Sequence, residues 1–328
     1  MRKVKKLHLF CAVFIIVIIL GVFFVFMTGS KKVTVDKVDD SKILVVYTSH
    51  EKDVYEPVIN EFQERTGIWV EVVTGGTKEL LAQIAEEKAS PYADVMFGGG
   101  IDSISAGRDN FDDWKAFSKF PVVLIYNTKL VYEAGIPQKW EDLLDNYWRG
   151  KIACADPRVS GSSFTALTTM IQILDKDNMD RTMTQLVLNC DGSFLNSSSK
   201  VIDSVNRGET LVGITSEDKA LKAIAADKNI GIIYPLEGTT AVPDATAVVK
   251  NCTHPENAKL FLEFTQNPDV QQYIEEFCYR RSATQKSMKI PLEKEVEYDM
   301  EWSIINRDLI LEQFIRAIKG VENEKEIH

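Results

Sequence analysis

Histidine and cysteine are scarce in this chain, with four and five residues among 328. No two cysteines stand in a C-x-x-C pair, so the closely spaced sulfur and imidazole ligands of a zinc cluster are missing. Neither G-x-x-x-x-G-K-[ST] nor a G-x-G-x-x-G after a strand occurs, which argues against nucleotide binding. A G-x-S-x-G nucleophile elbow is absent as well. Positive charge is in deficit: 38 Lys and Arg face 48 Asp and Glu, for a net charge of -10. Arg2, Lys3, Lys5 and Lys6 crowd the first six residues, so the remainder is more acidic still. Such a body repels a polyphosphate backbone and is not expected to bind nucleic acid. An anionic ligand must then be held by local dipoles rather than by the overall field. No metal, no cofactor and no catalytic residue is expected, and the chain reads as a binding protein rather than an enzyme.

Long apolar runs occur once. Residues 7–27 read LHLFCAVFIIVIILGVFFVFM, and about 20 apolar residues span a bilayer core. The run exceeds the roughly 7–15 residues of a secretory signal core. The basic residues before it place the N-terminus in the cytoplasm and the body outside. Residues 1–30 are therefore expected to be a transmembrane anchor, with a cleaved signal as the alternative, and 31–40 a linker. Cys11 stands too early in the run to carry a lipid. The other cysteines, Cys154, Cys190, Cys252 and Cys278, allow three complete pairings. Free, partly buried thiols are the reading preferred here.

From residue 43 the pattern alternates. ILVVYT at 43–48 is a β-branched run suited to a buried parallel strand. Val54, Val58 and Phe62 follow at helical spacing, with Gly67 as a stop. Strand and helix patterns continue to residue 265, which predicts an open parallel sheet with helices on its faces. A charged segment, 290–328, is expected to be helical near 304–318.

In such folds the ligand lies at the carboxyl ends of the strands, where helices begin. Four loops there are rich in Ser, Thr and Gly: Ser49 and His50; Gly76 and Thr77; Ser160, Gly161, Ser162 and Ser163; Ser197, Ser198 and Ser199. Small residues at a helix start leave backbone N–H groups free, and with the helix dipole these bind anions. They are also ordinary N-caps, but they fall in both halves of the chain. His50 is a cleft or cap residue. Glu217 and Asp218 open a helix after a strand, either as a favourable charge on its dipole or as acceptors for ligand hydroxyls. Glu237 lies in a turn that points into the cleft or into water. Arg158, just before the serine loop, is a phosphate partner or a surface residue.

These segments, in order, carry a resemblance. VYTSHEKDVYEPVINEFQERTGI, ADVMFGGG, WEDLLDNYWRGKIACADPRVSGSS, SSSKVIDSVNRGE, IIYPLEGTTAVPDATAVVKN, and HPENAKLFLEF followed by YRRSAT resemble the solute-binding proteins of ABC importers, in the ferric-iron and hexose-phosphate group. The resemblance spans residues 43–284. It implies an α/β, two-lobed periplasmic-binding-protein fold with a ligand cleft between lobes. The lobes are expected at 41–121 with 243–289, and at 122–242. It also implies that the serine loops at 160–163 and 197–199 bind a phosphate or synergistic anion. Iron-binding members carry two adjacent tyrosines where this chain has Glu217 and Asp218. Ferric iron prefers phenolates, so the sequence is more similar to the sugar-phosphate binders, with a ferric-iron or phosphonate-binding import protein as the alternative. The expected partners are a small phosphorylated ligand, the membrane through the N-terminal helix, and either an ABC permease or a membrane histidine kinase.

Overall fold

The computed structural model describes residues 40–174, 176–284 and 294–327. The expected membrane segment at 7–27 lies outside the described residues, and among those described no helix is long and apolar enough to cross a membrane.

Strand β1 (Ile43–Thr48) is buried along nearly its whole length. Helix α1 (Lys52–Thr66) packs Val54, Val58, Ile59 and Phe62 inward and ends at Gly67, whose φ of 70° is the left-handed cap that glycine adopts without strain. Strand β2 (Trp69–Thr74) pairs in parallel with β1, from Ile43 opposite Trp69 to Thr48 opposite Thr74. Helix α2 (Thr77–Glu86) leads to β3 (Val95–Gly100), which pairs in parallel on the other side of β1.

The sheet is not parallel throughout, contrary to the expectation from alternation. After the short α3 (Ile101–Ala106), strand β4 (Phe111–Lys119) carries the chain out of this sheet. Strand β9 (Pro243–Val249) brings it back, antiparallel to both β3 and β4. The re-entering strand starts at the end where β3 finishes, so it runs against it. With β10 (Arg281–Ser282) at the edge the order is β10-β4-β9-β3-β1-β2. Helices α8 (Pro255–Phe264) and α9 (Pro268–Phe277) cover it, and Phe62, Phe97, Phe117 and Phe261 share one core.

The second sheet takes β5 (Val122–Asn127), β6 (Ile152–Ala153), β7 (Val212–Ser216) and β8 (Ile230–Ile233) in the order β6-β7-β5-β8. Only β6 and β7 are parallel. Both faces of β5 are buried: Val122 and Leu124 face one apolar cluster, Val123 and Ile125 another, as the period of two requires. Helices α4 (Gly161–Leu174), α5 (Met179–Asn189), α6 (Ser198–Arg207) and α7 (Glu217–Ala225) complete this half. The C-terminal segment adds α10 (Met300–Ile305) and α11 (Arg307–Ile327), which puts Ile310, Phe314 and Val321 into the same cluster as Leu124 and Phe164. The chain thus has the two-lobed α/β fold of periplasmic binding proteins, with crossings near residues 119–122 and 239–243.

Candidate ligand-binding cleft

A cavity of about 280 Å³ opens where the strand ends of both lobes meet, at the small end of the size range for ligand sites. The first lobe contributes loops that approach closely because of glycine. Gly98 and Gly99 have φ of 106° and 88°. A Cβ on Gly98 would lie 3.0 Å from the His50 ring and from Ser49 Oγ, and one on Gly99 would lie 2.7 Å from Thr77 Cγ2. The triple glycine therefore lets Ser49, His50 and Thr77 gather at one rim. Gly76 is the N-cap of α2 and brings no side-chain cap, so no capping side chain accepts from the first N–H groups of that helix.

The second lobe brings three serine hydroxyls together. Ser162 Oγ lies 2.8 Å from Ser198 Oγ and 3.2 Å from Ser160 Oγ, and Ser160 Oγ is 3.4 Å from Ser198 Oγ. They stand at the starts of α4 and α6, and Ser197, the N-cap of α6, makes no side-chain cap either. Gly161 lines the cavity between them. Ser163 is turned away, its hydroxyl donating to the Ala155 carbonyl. Ser199 lines the rim and donates to Glu51 Oε1 of the other lobe at 2.7 Å.

A buried charge cluster spans the junction of the lobes. Arg280 donates from Nη1 to Asp218 Oδ2 at 3.0 Å, from Nε to Ser118 Oγ at 2.7 Å, and from Nη2 to Asp244 Oδ2. Burial alone would raise the Asp218 pKa, but the neighbouring Arg280 and Lys219 outweigh it and hold the carboxyl down to about 2. Its Oδ1 is buried with no hydrogen-bond partner. His50 packs edge-on against Phe97 and Phe117. Burial lowers its pKa to about 4, against the pull of Asp244, whose Oδ2 lies 3.7 Å from Nε2. The ring is therefore neutral at neutral pH, and Nε2 has no hydrogen-bond partner. Toward solvent, Lys219 and Lys222 of the second lobe reach Glu51 and Asp53 of the first at 2.7 and 2.6 Å.

Besides Ser163, three further expected ligand contacts are corrected. Glu217 does not line the cavity: Arg281 grips its carboxylate with Nε and Nη2, each at 2.7 Å, and the Tyr234 hydroxyl donates at 2.5 Å. Buried this way, the carboxylate has its partners within the protein. Glu237 accepts from the backbone N–H groups of Trp140 and Glu141 at 3.2 and 3.3 Å and serves as a cap there. Arg158, too, is held away, paired with Asp156 through Nε and Nη2. Sequence reasoning overlooked Arg280, although its YRRSAT segment was in view. An arginine's partners cannot be read from its neighbours in the chain.

Residues 101–311 match the pattern of the bacterial extracellular solute-binding protein family. The chain belongs to that family. This solute-binding protein is 25% identical over 250 residues to a putative 2-aminoethylphosphonate-binding periplasmic protein of Salmonella typhimurium, covering 69% of this chain and 72% of the relative. The periplasmic binding protein AfuA of Actinobacillus pleuropneumoniae, solved with fructose-6-phosphate, has a TM-score of 0.76 at 24% identity, over 84% of this chain and 98% of that one. A two-component system protein that mediates signal transduction has a TM-score of 0.68 at 22% identity, over 82% and 99%. At these identities the structural likeness establishes the fold.

Proposed function

We propose that this solute-binding protein captures a small phosphorylated ligand, a sugar phosphate, by closing its lobes at 41–121 with 243–289 and at 122–242. The observation that carries the reading is the meeting of Ser160, Ser162 and Ser198 hydroxyls at two helix starts. Hydroxyls and backbone N–H groups hold a phosphate by charge-assisted hydrogen bonds without adding a formal charge, which suits an acidic body. The unpaired Asp218 Oδ1 is placed to accept from a hydroxyl on the rest of the ligand. The likeness to a fructose-6-phosphate complex supports this assignment. A phosphonate reading draws on the Salmonella relative, since both ligands share the anion. Iron is disfavoured: burial and the neighbouring Glu217 push the Tyr234 phenol pKa up, and Glu217 is committed to Arg281.

Calorimetry with hexose phosphate, the free hexose, inorganic phosphate, 2-aminoethylphosphonate and ferric citrate tests this. Hexose phosphate should bind far more tightly than the hexose and remain intact. Tight binding of an unphosphorylated sugar, or a tyrosinate-to-iron colour, overturns it.

The reading extends to the membrane. Residues 7–27 hold the protein at the cell surface, and the bound form is presented either to an ABC permease or to a membrane histidine kinase. The likeness to a signal-transduction protein favours adding the second reading. External protease should release the body from intact cells, whereas a mature chain beginning near residue 31 in the medium would make the segment a cleaved signal.

A further inference from the structure

The C-terminal segment lies along the second crossing between the lobes. Thr239 and Glu295 form a parallel bridge. The Thr239 N–H donates to the Lys294 carbonyl at 3.1 Å, and the Val296 N–H donates to the Thr239 carbonyl at 2.9 Å. Gly238 permits this approach: its φ is 103°, and a Cβ there would collide with Val296. The Thr239 hydroxyl donates in turn to the Val122 carbonyl of the first crossing, at 2.6 Å.

Beyond the bridge the segment is fastened to the second lobe. The Tyr298 hydroxyl lies 2.7 Å from Thr168 Oγ1 of α4 and 2.6 Å from Ser303 Oγ of α10. The Asp299 backbone exchanges two hydrogen bonds with the Gln172 side chain, at 2.8 and 3.0 Å. Helix α11 then sinks Ile310, Phe314 and Val321 into the second-lobe core. Two grips reach the first lobe. Lys119, the last residue of β4, donates to both oxygens of Glu295 at 2.9 and 3.0 Å. Helix α10 packs against α3, whose N-cap, Gly100, lines the cavity.

We propose that segment 294–305 is a strap across the hinge that holds the lobes closed. The proposal rests on the lobe closure inferred above. The strap is rooted in the second lobe, so a first lobe that swings away cannot keep both Glu295 on Lys119 and α10 on α3. Opening therefore costs both grips, while the crossing segments absorb the backbone change. Helix α3 follows directly from the glycines at the cavity, so ligand and strap steady the same element. Each favours the closed form, and a larger closed fraction raises apparent affinity.

The test reads opening in the empty full chain. Spin labels go on Lys52→Cys and Lys200→Cys in a Cys11→Ala background, since the other described cysteines are buried. Both lysines are exposed and neighbour Glu51 and Ser199, which hydrogen-bond across the mouth. Glu295→Gln with Tyr298→Phe should raise the open-to-closed ratio about 3- to 30-fold, the worth of one exposed ion pair and one hydrogen bond. Lys119→Met alone, a milder change, should raise it about 2- to 5-fold. Lys325→Met removes a 2.7 Å pair with Asp191 that joins α11 to the second lobe only, and it should leave the ratio unchanged. A ratio that stays at the wild-type value in both strap variants overturns the proposal, and so does an equal rise in Lys325→Met. No ligand enters this measurement, so a wrong ligand assignment does not affect it. Adding hexose phosphate to the labelled wild type tests that assignment separately.

Discussion

Two groups of residues line the cleft, and they differ in how their polar atoms are satisfied. Ser160, Ser162 and Ser198 meet at 2.8–3.4 Å with no formal charge among them, and Ser160 Oγ also accepts from the Ser163 N–H at 3.3 Å. Arg280, Asp218 and Asp244 are all charged and already bonded to each other. A hydroxyl cluster can exchange one weak internal contact for a ligand oxygen, so it remains available for binding. A buried ion cluster cannot release a member without leaving another charge unpaired in a poorly solvated site. On the function proposed above, the serines are the part that holds ligand and the ion pairs the part that holds the lobes, while Asp218 Oδ1 and His50 Nε2 are buried without a hydrogen-bond partner.

The sharpest way to break this comparison is to remove a cation from a buried ion pair, here the Arg281–Glu217 pair that adjoins Arg280 and Asp218 in the chain but does not line the cavity. Arg281→Met strands the buried Glu217 carboxylate and should cost about 3–5 kcal/mol in chemical denaturation. Adding Glu217→Gln should recover much of the loss, because the stranded charge is then gone. A cost below about 1 kcal/mol for the single variant would show that the pair is dispensable and the contrast with the serines false.

Acid should act next most strongly, and again on the buried side. His50 has a folded pKa near 4, below its ordinary 6.5. Between those values the unfolded chain takes up a proton that the folded chain refuses. Stability is therefore intact above about pH 6.5 and falls as the pH drops toward 4, by about 3 kcal/mol in all. Asp218 has the opposite chemistry and a lower window: its contribution is present above its ordinary 3.8 and is lost as the pH falls toward 2. Urea titrations of wild type and His50→Gln at stepped pH separate the two. The variant should lose the slope between pH 6.5 and 4 and keep the lower one. An unchanged upper slope would mean that His50 is not buried and neutral.

On the serine side the effect should fall on binding instead. Ser162→Ala should weaken hexose phosphate and inorganic phosphate alike by about 10- to 100-fold, the worth of one hydrogen bond to a charged group. Calorimetry reads this, and a Tm close to wild type confirms that the serine does little for the fold. A large loss of stability with intact binding would reverse the roles assigned to the two groups.

The smallest effect belongs to the rim, where Lys222 meets Asp53, itself more than half exposed. Lys222→Met should change stability by less than about 1 kcal/mol, and high salt should erase the difference. A larger, salt-independent cost would place this pair with the buried cluster.

Much of this molecule was legible locally. The β-branched run at 43–48, the helical spacing of Val54, Val58 and Phe62, and the Gly67 stop all appear as β1, α1 and its cap. Strand β4 was missed because FDDWKAFSK mixes charge and aromatics without clean alternation; its partners β9 and β10 come from far along the chain. Strand β6 is only two residues long, and Ala155 beyond it makes an isolated bridge to Leu195. The serine-rich helix starts come together at one cavity, which gathers Ser49, His50, Gly76, Thr77, Ser160, Ser162 and Ser198.

What the sequence by itself determined were features that depend on near neighbours. These are the alternation of strands and helices, the glycine stops, the small residues at helix starts and the acidic balance of the body. Backbone propensity and side-chain periodicity act over a few residues, so a reader of the chain can see them. Tertiary structure alone decided which acids face the cavity and which are consumed. Asp218 and Glu217 are adjacent, yet one lines the cavity beside Arg280 and the other is sealed against Arg281, across sequence separations of 62 and 64 residues. Charges choose partners by distance in space, and the side of a helix on which each acid lies fixes that distance only once the lobes have packed.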